Sequence, residues 1–278
     1  MLRQRVITAL ILAGALIATL LFAPYPVQAI FFALVAAAGG WEWAALVGVQ
    51  GAFSRAVYAA IIPLLCGALW MLLALDGPEA ALHARPWLAA TALLWSAMLV
   101  GLKYYSAGRG VWGQAWVRAV MGWLMLTATW LAVAVCLTLI NGPFIVFLLI
   151  LTVAAADIGA YFTGRRFGQH ALAAEISPAK TWEGFWGGML CVGLLATLIW
   201  QNLPLSQLHL GWGSLMVLGL ATAGASVVGD LTVSLLKREV GLKDSGSLLP
   251  GHGGLLDRLD SICGAAPVFA LGLLLIGY

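Results

Sequence analysis

Charge is what this sequence has least of. Asp, Glu, Lys and Arg make up 9% of its 278 residues, against roughly 25% in an ordinary soluble domain. With 63% of residues hydrophobic, a soluble globular fold is excluded. Metal-spaced cysteine is missing too. Cys66, Cys136, Cys191 and Cys263 each sit inside an apolar run, none at ligand spacing from another, and read as small buried hydrophobes. The net charge of +3, from 14 Lys and Arg scattered against 11 acids, is too weak to suggest nucleic-acid binding. Alternating barrel strands are absent, and an open sheet cannot expose its edge amides to lipid. No small-residue cleavage site with a polar segment behind it follows the stretch after Arg3 and Arg5, so this stretch reads as an uncleaved span. Nor is there an internal repeat of the kind that builds inverted-half transporters.

What is present is a series of long apolar runs, near 6–22, 27–48, 56–75, 86–102, 117–140, 143–163, 184–201, 211–236 and 259–277. They predict an all-α, polytopic integral membrane bundle of about nine transmembrane helices forming a single membrane domain, 1–278. Residues 1–140 would be mainly structural helices. Residues 141–278 would be catalytic helices with loops 164–183 and 237–258. With the N-terminus inside, only Arg85 of the 14 basic residues falls outside, which orients the chain N-terminus cytoplasmic and C-terminus out. The two long polar loops then face the cytoplasm, and any chemistry is expected there. The inside segment 103–118, rich in aromatics and arginine, reads as interfacial anchoring.

Three acids fall within or at the ends of spans, where an ionised carboxylate needs a partner or an ion: Glu42, Asp157 and Asp230. Glu42, between Trp41 and Trp43, reads as a residue paired near the interface. Asp157, Tyr161 and Arg165 share one helical face, which would allow an internal Asp/Arg contact. Asp230, Ser234, Lys237 and Arg238 lie within about a quarter turn of one another on a helix. They form a polar stripe that either ion pairing or a site would explain.

Beyond that stripe, Lys243, Asp244, His252, Asp257, Arg258 and Asp260 crowd a glycine-rich loop and the start of the last span. Asp257, Asp260 and Ser261 share a helical face, so oxygens from two spans can converge. Carboxylates without a His or Cys cluster favour a hard cation, Mg²⁺ first. The glycines flanking His252 permit close backbone approach or an anion-binding nest. In the other long loop, Ser177, Lys180 and Thr181 precede a helix opening around Thr181–Gly184. That arrangement suits either phosphate binding or capping, and GxxxxGK[ST] is absent.

The run from Ser234 to Asp260, SLLKREVGLKDSGSLLPGHGGLLDRLD, resembles the signature of the phosphatidate cytidylyltransferases, or CDP-diacylglycerol synthases. DIGAYFTGRRFG from Asp157 and SPAKTWEGFWGG from Ser177 resemble that family too, with Ile158 where a small hydroxyl residue is expected. The N-terminal half is similar to it only in hydropathy and in the WEW around Glu42. The resemblance implies transfer of a cytidylyl group from CTP to phosphatidate, giving CDP-diacylglycerol and pyrophosphate with Mg²⁺, a second cation being open. On this basis Asp230, Asp257 and Asp260 are expected to hold metal, and Lys237, Arg238, Lys243 and Arg258 to grip phosphates. Ser177, Lys180 and Thr181 would bind CTP or cap the site, with Ser234 and Asp244 beside them and His252 shaping the loop. CTP and bilayer phosphatidate are the expected partners, without nucleic acid, and the bundle could pair as a homodimer. The expected location is a bacterial-type inner membrane.

Two other classes compete. A CDP-alcohol phosphotransferase also joins lipid and Mg²⁺, but its DGxxAR motif is missing, since Asp76-Gly77 runs into Pro-Glu-Ala-Ala. An ion-coupled transporter could use Asp157 and Asp230, yet would spread polar residues through the membrane depth, whereas here they gather at one face.

Overall fold

The computed structural model describes residues 2–105, 110–202, 210–251 and 253–278, with side chains from residue 4 onward. Among the described residues, nine helices are long and apolar enough to cross a membrane, and the protein is a polytopic helical membrane protein. They are α1 (Leu2–Phe22), α2 (Tyr25–Val47), α3 (Ala52–Leu72), α4 (Ala80–Lys103), α5 (Ala115–Thr138), α6 (Gly142–Phe167), α7 (Trp182–Asn202), α8 (Trp212–Glu239) and α9 (Leu256–Leu275). The nine expected runs each become one helix, with ends shifted by a few residues. Punctuation sets several of those ends. Pro26 opens α2 and Gly48 closes it at φ 91°, a left-handed cap that glycine adopts freely.

Short connections make successive helices alternate in direction, and long-range polar contacts join ends that this alternation puts together. Gln28 donates to the carbonyls of Thr19, Leu20 and Ala23 at one end of the bundle, and Tyr278 to that of Ile140. At the other end Arg5 donates to Gly251 O at 2.7 Å, and Thr8 to Pro250 O. That second end also carries the functional loops.

α5 is the most buried helix, packed between α2 and α9, while α1 lies almost wholly exposed at the periphery. Hydrophobic contrast between helix and lipid is small, so close backbone approach through small residues holds membrane helices together. Two crossings depend on it. On α7, Cβ atoms at Gly184 and Gly188 would lie 2.9 and 2.7 Å from the carbonyls of Ala160 and Ala156 on α6. Between α8 and α9, a Cβ at Gly264 would lie 2.9 Å from Gly229 N, and one at Gly229 2.8 Å from Gly264 N.

The structure adds detail to two segments. The segment 164–183 is no open loop: α6 runs on to Phe167, and Ala171–Ala173 (β1) pairs antiparallel with Ser177–Thr181 (β2) as a small hairpin leading into α7. Pro178 is tolerated because neither strand has a second neighbour to bond. The segment 103–118 is more than interfacial. Arg118 is buried, its guanidinium donating to Leu46 O at 2.6 Å and Trp112 O at 2.8 Å, so it caps the carbonyl end of α2. Tyr105 donates to Glu239 Oε1 at 2.7 Å; burial and that carboxylate push its hydroxyl pKa up to about 12. Arg109 lies outside the described residues.

Candidate active site

α6, α7 and α8 frame a cleft of about 350 Å³, with the hairpin at its mouth. Ala156, Met189, Ala223 and Val227 line its deeper part, where Asp157 also stands, and Arg165 and Lys180 lie toward its mouth. Lys180, projecting from β2, meets Asp230 of α8 at 2.5 Å, and Ser234 donates to the other oxygen of Asp230 at 3.1 Å. A carboxylate about two turns inside an apolar helix thus receives an ammonium from a different element, which an isolated stripe could not supply.

Asp260 lies one helix away and is buried, one of its oxygens taking the Ser261 amide at 2.8 Å. The glycine contact between α8 and α9 brings it close enough to Asp230 for the two charges to act on each other. Asp157 feels Lys180, Asp230 and Arg258 in the same way. Its expected contact with Arg165 does not form, for Arg165 donates to Tyr161 OH at 3.1 Å instead.

Asp257 belongs to a second group. Lys237 reaches its Oδ1 at 2.8 Å, and the amides of Ser245 and Gly254 donate to its carboxylate at 3.1 and 3.2 Å. The polar stripe therefore divides, with Asp230 and Ser234 turned to Lys180 and Lys237 turned to Asp257. Arg238 points to neither and donates to Ile176 O at 3.3 Å, tying α8 to the hairpin. Thr181 caps α7 by accepting the Gly184 amide at 3.1 Å, the capping alternative that its position left open. Ser177 stands half-buried at the start of β2.

Lys243 and Asp244 are exposed on the loop 240–255. Asp244 and Arg258 line a second, polar cleft of about 340 Å³ together with Arg5. His252 lies outside the described residues.

Among the described residues, no three His, Cys, Asp or Glu side chains converge into a ready-made metal cage. The donor chemistry nonetheless fits a hard cation. Asp230 and Asp260 stand on adjoining helices at the Gly229–Gly264 crossing, oxygen donors of the kind a hard cation takes. Lys180 provides one positive charge at Asp230 and Lys237 one at Asp257.

Sequence reasoning missed the part played by Glu42. It is 3% exposed, and it is bound not to a cation but to the loop 240–255. The signal available was a carboxylate between two tryptophans in a span, together with glycines in a loop more than 200 residues later.

Among the described residues, nine spanning helices with most of the charged side chains and the glycine-rich loop toward one end define a polytopic membrane protein. The chain belongs to the cytidylyltransferase family, whose sequence profile matches residues 3–276, and it is therefore a nucleotidyltransferase. It is 41% identical over 273 residues to a phosphatidate cytidylyltransferase of Pseudomonas aeruginosa, covering 97% of this chain and 96% of that one. A phosphatidate cytidylyltransferase of Haemophilus influenzae is 32% identical over 289 residues, covering 97% and 98%. One from Mycobacterium tuberculosis is 44% identical over 127 residues, covering 45% of this chain and 37% of the other.

Proposed function

We propose that the protein transfers the cytidylyl group of CTP to phosphatidate, releasing pyrophosphate and leaving CDP-diacylglycerol in the bilayer. The observation that carries this reading is the cleft: largely apolar at depth, for a lipid, and headed by Lys180 and Arg165 where a phosphate headgroup would stop. Family membership and the full-length relatives support the same reaction. The phosphatidate phosphate attacks the α-phosphorus of CTP in line with the departing pyrophosphate. An existing phosphate oxygen is the nucleophile, so no activated side chain and no covalent enzyme intermediate are needed.

Lys180 and Arg165 hold the lipid phosphate at the cleft mouth. Lys237, Arg238, Lys243 and Arg258 grip the triphosphate from the loop side, where Asp244 and Arg258 already share a cleft. Asp230, Asp260 and Asp257 would hold Mg²⁺, which when bound neutralises charge on the phosphates. Asp257 joins them as Lys237 turns from it to phosphate. The site faces the cytoplasm, where CTP is, from a bacterial inner membrane; the basic residues gathered at that end support this orientation.

The test is formation of labelled CDP-diacylglycerol from CTP by the purified protein in detergent. Product and pyrophosphate should each require both phosphatidate and Mg²⁺. Asp230→Asn and Asp260→Asn should each lower kcat on the order of a hundredfold, with monodispersity as the folding control. Pyrophosphate release that ignores phosphatidate would overturn the assignment of acceptor, and losses of only a few-fold would remove these acids from the machinery.

A further inference from the structure

The loop that carries Lys243 and Asp244 is long and rich in glycine, a composition that by itself gives a mobile segment. Yet its backbone is anchored from an unexpected place, the end of α2. Glu42 Oε2 accepts the Leu256 amide at 2.8 Å and the Ser245 hydroxyl at 3.2 Å, and Oε1 accepts the Leu248 amide at 3.2 Å. Loop backbone passes so close that a Cβ at Gly254 would lie 2.7 Å from Oε2, and one at Gly246 would overlap the carboxylate. Among the described residues no ion pair reaches Glu42. Its charge is balanced by these N–H and O–H donors, which charge makes stronger than neutral hydrogen bonds.

The platform beneath it is rigid. Next to Glu42, Trp43 is fully buried and donates to Arg118 O at 2.8 Å, while Arg118 caps the same helix end through Leu46 O. The far side of the loop is held by Asp257, which takes the Ser245 amide and pairs with Lys237. Ser245 is thus gripped by its hydroxyl from Glu42 and by its amide from Asp257. Leu256, directly before Asp257, has its amide fixed by Glu42.

We propose that Glu42 is a positioning residue for nucleotidyl transfer. Its carboxylate, set in the N-terminal half of the chain, pre-forms the loop backbone at Ser245, Leu248 and Leu256 and so fixes the direction of Lys243, Asp244 and Asp257 toward the triphosphate of CTP. The proposal rests on the reaction assigned above. Preorganisation of this kind lowers the ordering cost of binding, so its loss appears first in KM for CTP.

Glu42→Gln is the discriminating variant. An amide offers one acceptor oxygen, so in either orientation an NH₂ faces an N–H donor of the loop. In full-length protein in detergent, the amides of Leu248 and Leu256 should exchange hydrogen at least about tenfold faster than in wild type. KM for CTP should rise about tenfold with a smaller change in kcat, and the KM for phosphatidate should stay within about twofold. Glu42→Asp keeps the charge but withdraws it by one methylene, and should fall between wild type and Glu42→Gln. A merely structural role would lower the melting temperature and the active fraction while leaving KM for CTP and the loop exchange of the folded protein unchanged; that result would overturn the proposal. If Glu42→Gln does not fold, Ser245→Ala decides, since it removes one bond of the same anchor from the loop side. Faster exchange at Leu248 with a raised KM for CTP supports the anchor, and wild-type values for both overturn it. The exchange measurement reads the loop without turnover. A wild-type protein that makes no CDP-diacylglycerol while Glu42→Gln still frees the loop would fault the assigned reaction and leave the anchor standing.

Discussion

Lys180 and Lys237 each neutralise one aspartate, and these pairings sort the three acids at the heart of the site into Asp230 with Asp260 and Asp257 with the loop. The sorting has a measurable consequence. If all three serve one cation during turnover, Asp230→Asn and Asp257→Asn should each cost on the order of a hundredfold in kcat, and the double variant should lose little more than either single. Losses that multiply in Mg²⁺-dependent assays would confine Asp257 to its loop-holding role. Arg238 is a separate case, because its Nε already bonds to Ile176 O. Arg238→Lys keeps the charge and loses the planar fork, so kcat/KM should fall about tenfold, or about 1.4 kcal/mol. Wild-type steady-state constants would leave it as a tie between helix and hairpin. Lys180, Asp230, Lys237, Arg238 and Asp257 were legible in the sequence, since each stands in a polar stretch of an otherwise apolar chain. The pairings were not. Lys180 lies 50 residues from Asp230, and Glu42 lies 214 from Leu256, distances over which helical periodicity carries no information.

At the scale of elements, hydropathy foretold the nine helices because lipid demands a long apolar run for each crossing. It could not foretell the hairpin at 171–181, whose strands are short, lack alternation and include Pro178. Glycines mark the close crossings, but spacing alone does not say which helix each one faces. Gly264→Ala tests the crossing that brings Asp230 to Asp260. The added methyl would meet the backbone of Gly229 and Ala225, so the helices must part. A loss of about 1–3 kcal/mol is expected, seen as a lower melting temperature with reduced turnover of the folded fraction. Gly67→Ala, where a Cβ meets nothing within 4 Å, should leave both unchanged.

Across the whole molecule, the arrangement requires the hairpin and the loop 240–255 to share one side of the membrane. In a background lacking the four cysteines, Ser247→Cys should resist an impermeant maleimide in intact cells, while Asp76→Cys in the opposite turn should react. Labelling of Ser247→Cys alone would reverse the orientation and remove the site from CTP. The gathering of functional residues at one end was readable from the charge pattern, whereas the dependence of that end on α1 and α2 was not, because it runs through backbone carbonyls and amides. The bond from Arg5 to Gly251 spans 246 positions. At 5–20 residues per second, the ribosome needs about 12 to 50 seconds to make the second partner after the first. Throughout that interval α1 waits in the bilayer with its loop partner still unsynthesised. A chain stalled or cut before residue 245 would therefore hold most of its spans but none of the bonds that tie α1 and α2 to the late loop, and it would lack Asp257 and Asp260.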